Sequence, residues 1–292
     1  MRLLTAIFSY NRFELLGNCT DSWWEMGPGG DLLIIDDGSN DPRMGGLLER
    51  EERRGARVIR VPRGPTLFHG GLYTNMSLAL EQAIVGGYDY IYFLQDDVQF
   101  MHPVMSRMGE YAQLFEAHPG VGMIGFMFYK GIMRRTIKPR LEWEPALHAW
   151  HCRPYGIADI GLARVGTFRE AGFRFLDSEG ANSAFWLDRG YKYYIHSLPH
   201  LAFVPWPMTI AFDRSYGQER KRRRPYFLKP LDQDQITRLE KTASRQALAF
   251  HEDFCSPWGW TCLKPYWFTG LNREYLRLVI KSRWFPHPTR AD

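Results

Sequence analysis

Long apolar runs are missing from this chain of 292 residues. None approaches the roughly 18 consecutive apolar positions needed to cross a bilayer. The N-terminal stretch Leu3-Leu4-Thr5-Ala6-Ile7-Phe8 is too short for a secretory signal and no small-residue cleavage pattern follows it, so a cytosolic protein is expected. Cysteine is scarce: Cys19, Cys152, Cys255 and Cys262 contain no Cys-x-x-Cys pair, which excludes zinc-finger and thioredoxin-like motifs and leaves reduced thiols as the expectation. No Gly-x-Gly-x-x-Gly follows the first apolar stretch and no Walker sequence occurs, so glycine cradles for dinucleotides or phosphates are unsupported. A distributed basic face is missing too. The net charge of +5 is matched by residues 214–224 alone, with six cationic side chains and one carboxylate, so a nucleic-acid partner is not expected. That run reads either as a solvated loop or as a local site for a diphosphate, an anionic lipid surface or an acidic acceptor.

What is present is ordinary for a folded enzyme-sized protein. The length sits near the upper limit of a single core, and 45% apolar with 24% charged residues excludes disorder. Aromatic residues reach 15%, many beyond position 140, as in sugar-binding or interface surfaces and, more commonly, in well-filled cores.

Three short apolar runs each end in a polar cluster: Leu3 to Phe8 before Ser9-Tyr10-Asn11-Arg12, Leu32 to Ile35 before Asp36-Asp37-Gly38-Ser39, and Tyr90 to Leu94 before Gln95-Asp96-Asp97. Continuous rather than alternating hydrophobicity predicts strands buried on both faces, as in a parallel sheet. Further strands are expected over 57–61 and 121–126, with helices over 13–26, 41–54, 72–85 and 103–118. The order strand-helix repeated through residue 126 predicts an open α/β sheet. Beyond about residue 127 the pattern is irregular, with a helix expected near 182–189 and a strand over 191–195.

In open α/β sheets ligands bind outside the carboxyl ends of the strands. The three polar clusters should therefore face one crevice. Without a glycine cradle, a bound diphosphate needs a cation, and adjacent carboxylates at a strand end can hold Mg²⁺ or Mn²⁺ while leaving positions open for phosphate oxygens. Each cluster also has a plainer reading: Asp36 to Asn40 as a helix-capping turn, and Asp96-Asp97 as loop carboxylates in solvent.

Through Thr5-Ala6-Ile7-Phe8-Ser9-Tyr10-Asn11-Arg12, Ile34-Ile35-Asp36-Asp37-Gly38-Ser39-Asn40-Asp41, residues 74–84 and residues 90–98, the chain resembles family 2 glycosyltransferases. The resemblance is specific over residues 1 to about 100 and weakens by about 200. It implies an α/β fold of GT-A type, a Rossmann-like open mixed sheet flanked by helices, with an irregular aromatic-rich acceptor half. The expected organisation is a catalytic domain over 1–215, divided into a nucleotide-sugar half at 1–125 and an acceptor half at 126–215, and a C-terminal extension over 216–292.

By the same resemblance Ser9, Arg12, Asp37 and Asp96 would contact the nucleotide, with Asp37 on the base, and Asp97 would hold the divalent cation. His196 or His200 would complete the metal site; a satisfied, partly buried imidazole is the plainer reading of either. The catalytic base of such enzymes is a carboxylate about a dozen residues before a Gly-Tyr. Gly190-Tyr191 points to Glu179, with Asp177 as the reserve, although the usual Glu-Asp pair is broken here. Glu179 also reads as a first-turn helix charge.

The implied activity is metal-dependent hexosyl transfer from a nucleotide-sugar, a UDP-sugar by expectation, to the hydroxyl of a glycan or other acceptor, with inversion. Two alternatives stay open: a sugar-phosphate nucleotidyltransferase, and a non-catalytic glycan- or membrane-binding module on the same fold. An amphipathic stretch over 270–285 would pack on its own domain or lie on the inner face of a membrane as a peripheral contact.

Overall fold

The computed structural model describes residues 1–62, 71–129, 141–152, 160–204, 228–244, 248–250 and 254. The first half alternates strand and helix: β1 (Leu3–Ser9), α1 (Phe13–Met26), β2 (Asp31–Asp36), α2 (Pro42–Arg53), β3 (Arg57–Arg60), α3 (Leu72–Val85), β4 (Tyr90–Gln95), β5 (Val98–Phe100), α4 (Met108–Ala117) and β6 (Val121–Gly125). The second half adds β7 (Leu141–Glu144), β8 (Ala149–Cys152), β9 (Gly161–Arg164), α5 (Val165–Glu170), α6 (Glu179–Leu187), β10 (Lys192–His196), β11 (Leu201–Phe203) and α7 (Gln233–Ser244).

Nine strands form one sheet in the order β3-β2-β1-β4-β9-β6-β10-β8-β7. β1 pairs in parallel with both β2 and β4, and β6 pairs in parallel with β10. β9 runs antiparallel to both β4 and β6, which makes the sheet mixed. The fold is the α/β open mixed sheet expected from the sequence.

The continuous apolar strands are explained by burial on two faces. In β1, Leu3 and Ile7 join a core with Leu16, Cys19 and Trp23 of α1, Leu47 and Leu48 of α2, and Tyr111 and Phe115 of α4. Leu4, Ala6 and Phe8 point the other way, into a core with Met76, Ala79 and Leu80 of α3, Phe168 of α5 and Trp186 of α6. Trp186 is fully buried and packs against Phe168 and Phe173 with ring centroids 5.2 and 4.6 Å apart.

Helix α6 begins at Glu179 rather than near residue 182, because the Ser178 side chain accepts the Ala181 N–H and sets the N-terminus there. The helix expected over 103–118 opens with a 3-10 turn at Met105–Arg107 before α4.

A second, two-stranded sheet pairs β5 with β11. It buries Met101 and Ala202 against Leu228, Leu231 of the following segment and Leu239 and Ala243 of α7. The expected division at 215/216 falls outside the described residues; the described part beyond it shares this third core with the first half. The basic run at 214–224, the amphipathic stretch at 270–285, and Cys255 and Cys262 also lie outside the described residues. Among the described residues no helix is long and apolar enough to cross a membrane.

The β5–β11 pairing places a histidine cluster in the core. His200 is fully buried, its ring stacked 4.6 Å from that of Phe126, and its Nε2 lies 2.9 Å from the Tyr92 hydroxyl. His196 packs on Tyr111 and accepts the Leu198 N–H at Nδ1. Burial lowers the pKa of both imidazoles, that of His196 to about 4. On unfolding they regain ordinary values near ~6.5. The unfolded chain thus binds protons between about pH 6.5 and about pH 4 that the folded chain refuses, so stability falls as pH drops through that window. Urea unfolding midpoints should show a shallower acid-side fall in His196→Asn, whose amide can still accept the Leu198 N–H without titrating. An unchanged slope would show that His196 does not contribute.

Candidate active site

The register of the three parallel strands sets the site. Ser9 pairs with Asp36 across β1 and β2, and Phe8 pairs with Gln95 across β1 and β4, so all three strands end level. Backbone bonds continue the alignment past the strand ends: the Asp37 N–H donates to the Ser9 carbonyl at 2.9 Å and the Asp96 N–H to the Phe8 carbonyl at 3.2 Å. The three polar clusters of the sequence therefore meet at one carboxyl edge.

Asn11 ties two of the clusters together. It adopts a left-handed backbone (φ 53), accepts the Asn40 and Asp41 N–H groups at Oδ1, and donates through its own N–H to Ser39 Oγ at 2.8 Å. Asp36 closes the turn after β2, accepting the Ser39 N–H at 3.0 Å and the Ser39 hydroxyl, while Gly38 supplies the positive φ the turn requires. Burial raises the Asp36 pKa and the two Ser39 bonds oppose the rise.

Asp37 reaches the N-terminus of α3. Its Oδ2 accepts the Gly71 N–H at 2.9 Å and its Oδ1 accepts from Asn75 Nδ2 at 3.0 Å. The carboxylate thereby caps a helix whose own N-cap residue, Gly71, has no side chain to do so. The approach is close: a Cβ at position 71 would overlap Asp37 Oδ1.

Asp96 is 2% exposed. Both of its oxygens are taken: Ser9 Oγ donates to Oδ2 at 2.8 Å and Arg12 Nη1 donates to Oδ1 at 2.9 Å. Burial raises its pKa to about 6, against the lowering effect of Arg12, and the neighbouring Asp97 adds to the rise. The same Arg12 nitrogen lies 3.6 Å from Asp97 Oδ2. Asp97 Oδ1 is buried and has no hydrogen-bond partner. A buried carboxylate oxygen without a donor is costly unless a cation supplies the missing interaction.

The resemblance implies a divalent cation here, and the donor set fits one in part. Hard carboxylate oxygen suits Mg²⁺ or Mn²⁺, and such ions complete their shell with phosphate oxygens and water. Among the described residues, however, no group of three or more His, Cys, Asp or Glu side chains converges on a common point. His196 and His200, the further ligands the resemblance implies, both lie among aromatic rings. His196 ends β10 and packs on Tyr111 and Phe126, and His200, just before β11, is stacked on Phe126 and Phe100, which agrees with the plainer reading of a buried imidazole.

Asp177 and Glu179 are exposed at the start of α6. Their loop is held by Asn182, which is fully buried: its Oδ1 accepts the Leu176 N–H at 2.7 Å and its Nδ2 donates to the Leu176 and Ser178 carbonyls. The Phe175 N–H donates to Ser77 Oγ on α3 at 2.9 Å, placing the loop beside the helix that receives Asp37. The sequence reading missed Asn182 and Asn75, and Gln99. Gln99 accepts from Asn18 and from the Leu228 N–H at Oε1 and donates to the Leu228 carbonyl at 2.8 Å, fastening the chain beyond the basic run next to β5. On the other side of that run, the Val204 N–H donates to the Asp97 carbonyl at 2.8 Å.

No family model and no curated protein matches the sequence. Among solved structures, the chain is similar to residues 1–349 of S. aureus TarS, with a TM-score of 0.50 at 13% identity over 70% of this chain and 60% of that one. The chain thus spans less than two thirds of that fragment. The same fragment in complex with UDP-GlcNAc gives 0.48 at 12% identity, over 84% and 66% of the two chains. The mannosyltransferase PcManGT from Pyrobaculum calidifontis, in complex with GDP-Man and Mn²⁺, gives 0.45 at 15% identity, over 70% and 57%. The TarS likeness shows the fold, which is of GT-A type.

Replacing Gly71 with Ala forces Asp37 off the α3 N-terminus. The expected cost is about 1–3 kcal/mol of unfolding free energy, typical of a methyl group inserted where there is no room. Urea denaturation measures it, and a stability equal to wild type would contradict the close approach.

Proposed function

We propose that this protein is a glycosyltransferase that moves a sugar from a nucleotide-sugar, a UDP-sugar in the first instance, to a hydroxyl acceptor with inversion at the anomeric carbon. The single observation that carries this reading is the carboxyl edge of a GT-A-type sheet, where Asp37, Asp96 and Asp97 follow neighbouring strands that end level and one buried Asp97 oxygen lacks a donor.

In this reading Asp97 holds a divalent cation, which when bound supplies a Lewis acid for the departing diphosphate. Asp37, steadied by Gly71 and Asn75, presents a fixed acceptor to an N–H of the nucleotide base. Arg12 keeps Asp96 ionised and aligned on the ribose side. Glu179, exposed at the first turn of α6, accepts the proton of the acceptor hydroxyl as its oxygen bonds to the anomeric carbon and the bond to the diphosphate breaks on the opposite face. Asp177, two residues earlier, is the reserve base. The preference for a UDP-sugar, the inverting outcome and the division into catalytic domain and extension rest on the sequence resemblance.

A panel of nucleotide-sugars with Mn²⁺, scored by thermal stabilisation and then by transfer, tests the reading, because a ligand that binds only the folded state raises its apparent stability. At least one nucleotide-sugar should raise the melting temperature in a cation-dependent way. Failure of every nucleotide-sugar would refute the proposal.

Asp97→Ala is expected to abolish transfer while leaving the far-UV circular dichroism unchanged; cation-dependent transfer by that variant would remove Asp97 from the site. Glu179→Gln should lower kcat by about 100-fold or more with donor affinity unchanged. Normal turnover in that variant would move the base to Asp177 or elsewhere.

A further inference from the structure

We propose that Arg12 is a built-in counter-cation. By sharing one guanidinium nitrogen between Asp96 and Asp97, it holds down the affinity of the site for a free divalent ion, so the ion is taken up together with a nucleoside diphosphate rather than alone. This rests on the reading of Asp97 as the cation ligand.

Two carboxylates and one guanidinium lie within contact distance. Arg12 Nη1 is 2.9 Å from Asp96 Oδ1 and 3.6 Å from Asp97 Oδ2. The two carboxylates then play different parts. Asp96 is saturated, with one oxygen bonded to Ser9 and the other to Arg12, and it is almost wholly enclosed. Asp97 keeps one buried oxygen with no donor.

An approaching dication is attracted by both carboxylates and repelled by the guanidinium. Coulomb energies at such separations vary only as the inverse of distance, so a fixed cation beside Asp96 nearly cancels that residue's pull on the ion. What remains is essentially one carboxylate, Asp97. The protein can add little else: among the described residues no third acidic, histidine or cysteine side chain joins the pair. The rest of an octahedral shell must come from phosphate oxygens and water.

The guanidinium is also held from its root. The Arg12 carbonyl accepts the Leu16 N–H at 2.9 Å in the first turn of α1, and the preceding Asn11 is bonded to Ser39, Asn40 and Asp41. Arg12 is therefore a positioning residue. It shapes the field at Asp97 and fixes Asp96.

The test is Mn²⁺ binding by the full chain, read from loss of the free Mn²⁺ signal in electron paramagnetic resonance, with and without UDP. Because loss of the guanidinium raises the Asp96 pKa further, binding is followed from about pH 7 to about pH 9: where Asp96 is ionised, Arg12→Gln is expected to bind Mn²⁺ alone at least tenfold more tightly than wild type, while Arg12→Lys, which keeps the charge, stays within about threefold of wild type. Arg12→Met carries the same expectation as Arg12→Gln and serves if the latter does not fold.

Equal or weaker Mn²⁺ binding by the neutral variants would overturn the counter-cation role. The underlying site is judged separately: UDP should promote Mn²⁺ uptake by wild type and not by Asp97→Ala. If it does so in neither protein, the cation reading itself fails, whatever the Arg12 variants do.

Discussion

A carboxylate that is 2% exposed at the end of a central strand is the constraint on which this molecule turns. Asp96 cannot remain ionised there by solvation. It is held by a hydroxyl from the end of β1 and a guanidinium from the start of α1, so the β1–α1 corner and the end of β4 are joined by one half-buried ion pair as well as by the sheet. Removing Arg12 leaves a buried carboxylate without its partner, which weakens the fold or shifts Asp96 toward its neutral form. The same pair brings Arg12 to Asp97, so the electrostatics of the edge and its architecture have a common origin.

The aspartates at this edge divide their work. Asp36 is bonded to the turn after β2, Asp37 to the N-terminus of α3, and Asp96 to Ser9 and Arg12, each oxygen keeping a further lone pair. Of the four, Asp97 alone retains a buried oxygen without a donor. Chemistry thus gathers at the position where the hydrogen-bonding demands of the fold have been met by its neighbours. Helix α3 is set at this edge by Asp37 from the end of β2, whereas α2 is capped by its own Asp41.

Much of this arrangement was legible from residue patterns. Four-to-six-residue apolar runs, buried on both faces, announced the parallel strands β1, β2 and β4, and the polar residues after each run could only lie on one edge. The antiparallel insertion of β9 between β4 and β6 was not legible. It is four residues long, and its pairing partners lie more than thirty positions away, so no local period marks it. β7 and β8 form a local antiparallel hairpin, and only the pairing of β8 with β10 spans some forty positions. The surroundings of the histidines were not legible, because position after an acidic motif carries no information about which way a strand turns. His200 follows β10 into the β5–β11 pairing and is enclosed by Phe100, Phe126 and Tyr111, an outcome set by long-range packing. Asn75, Asn182 and Gln99 escaped notice for a related reason: a buried amide is recognisable only once its distant backbone partners are known.

The chain departs from the neighbourhood of Asp97 at Val204 and returns to it at Leu228, where the Gln99 amide grips both the N–H and the carbonyl of one residue as a neighbouring strand would. Departure and return are secured independently, each by groups belonging to residues 97–99. The entropy of closing a loop grows only with the logarithm of its length. The two anchors therefore hold strand register on either side at a cost that depends only weakly on how many residues separate them.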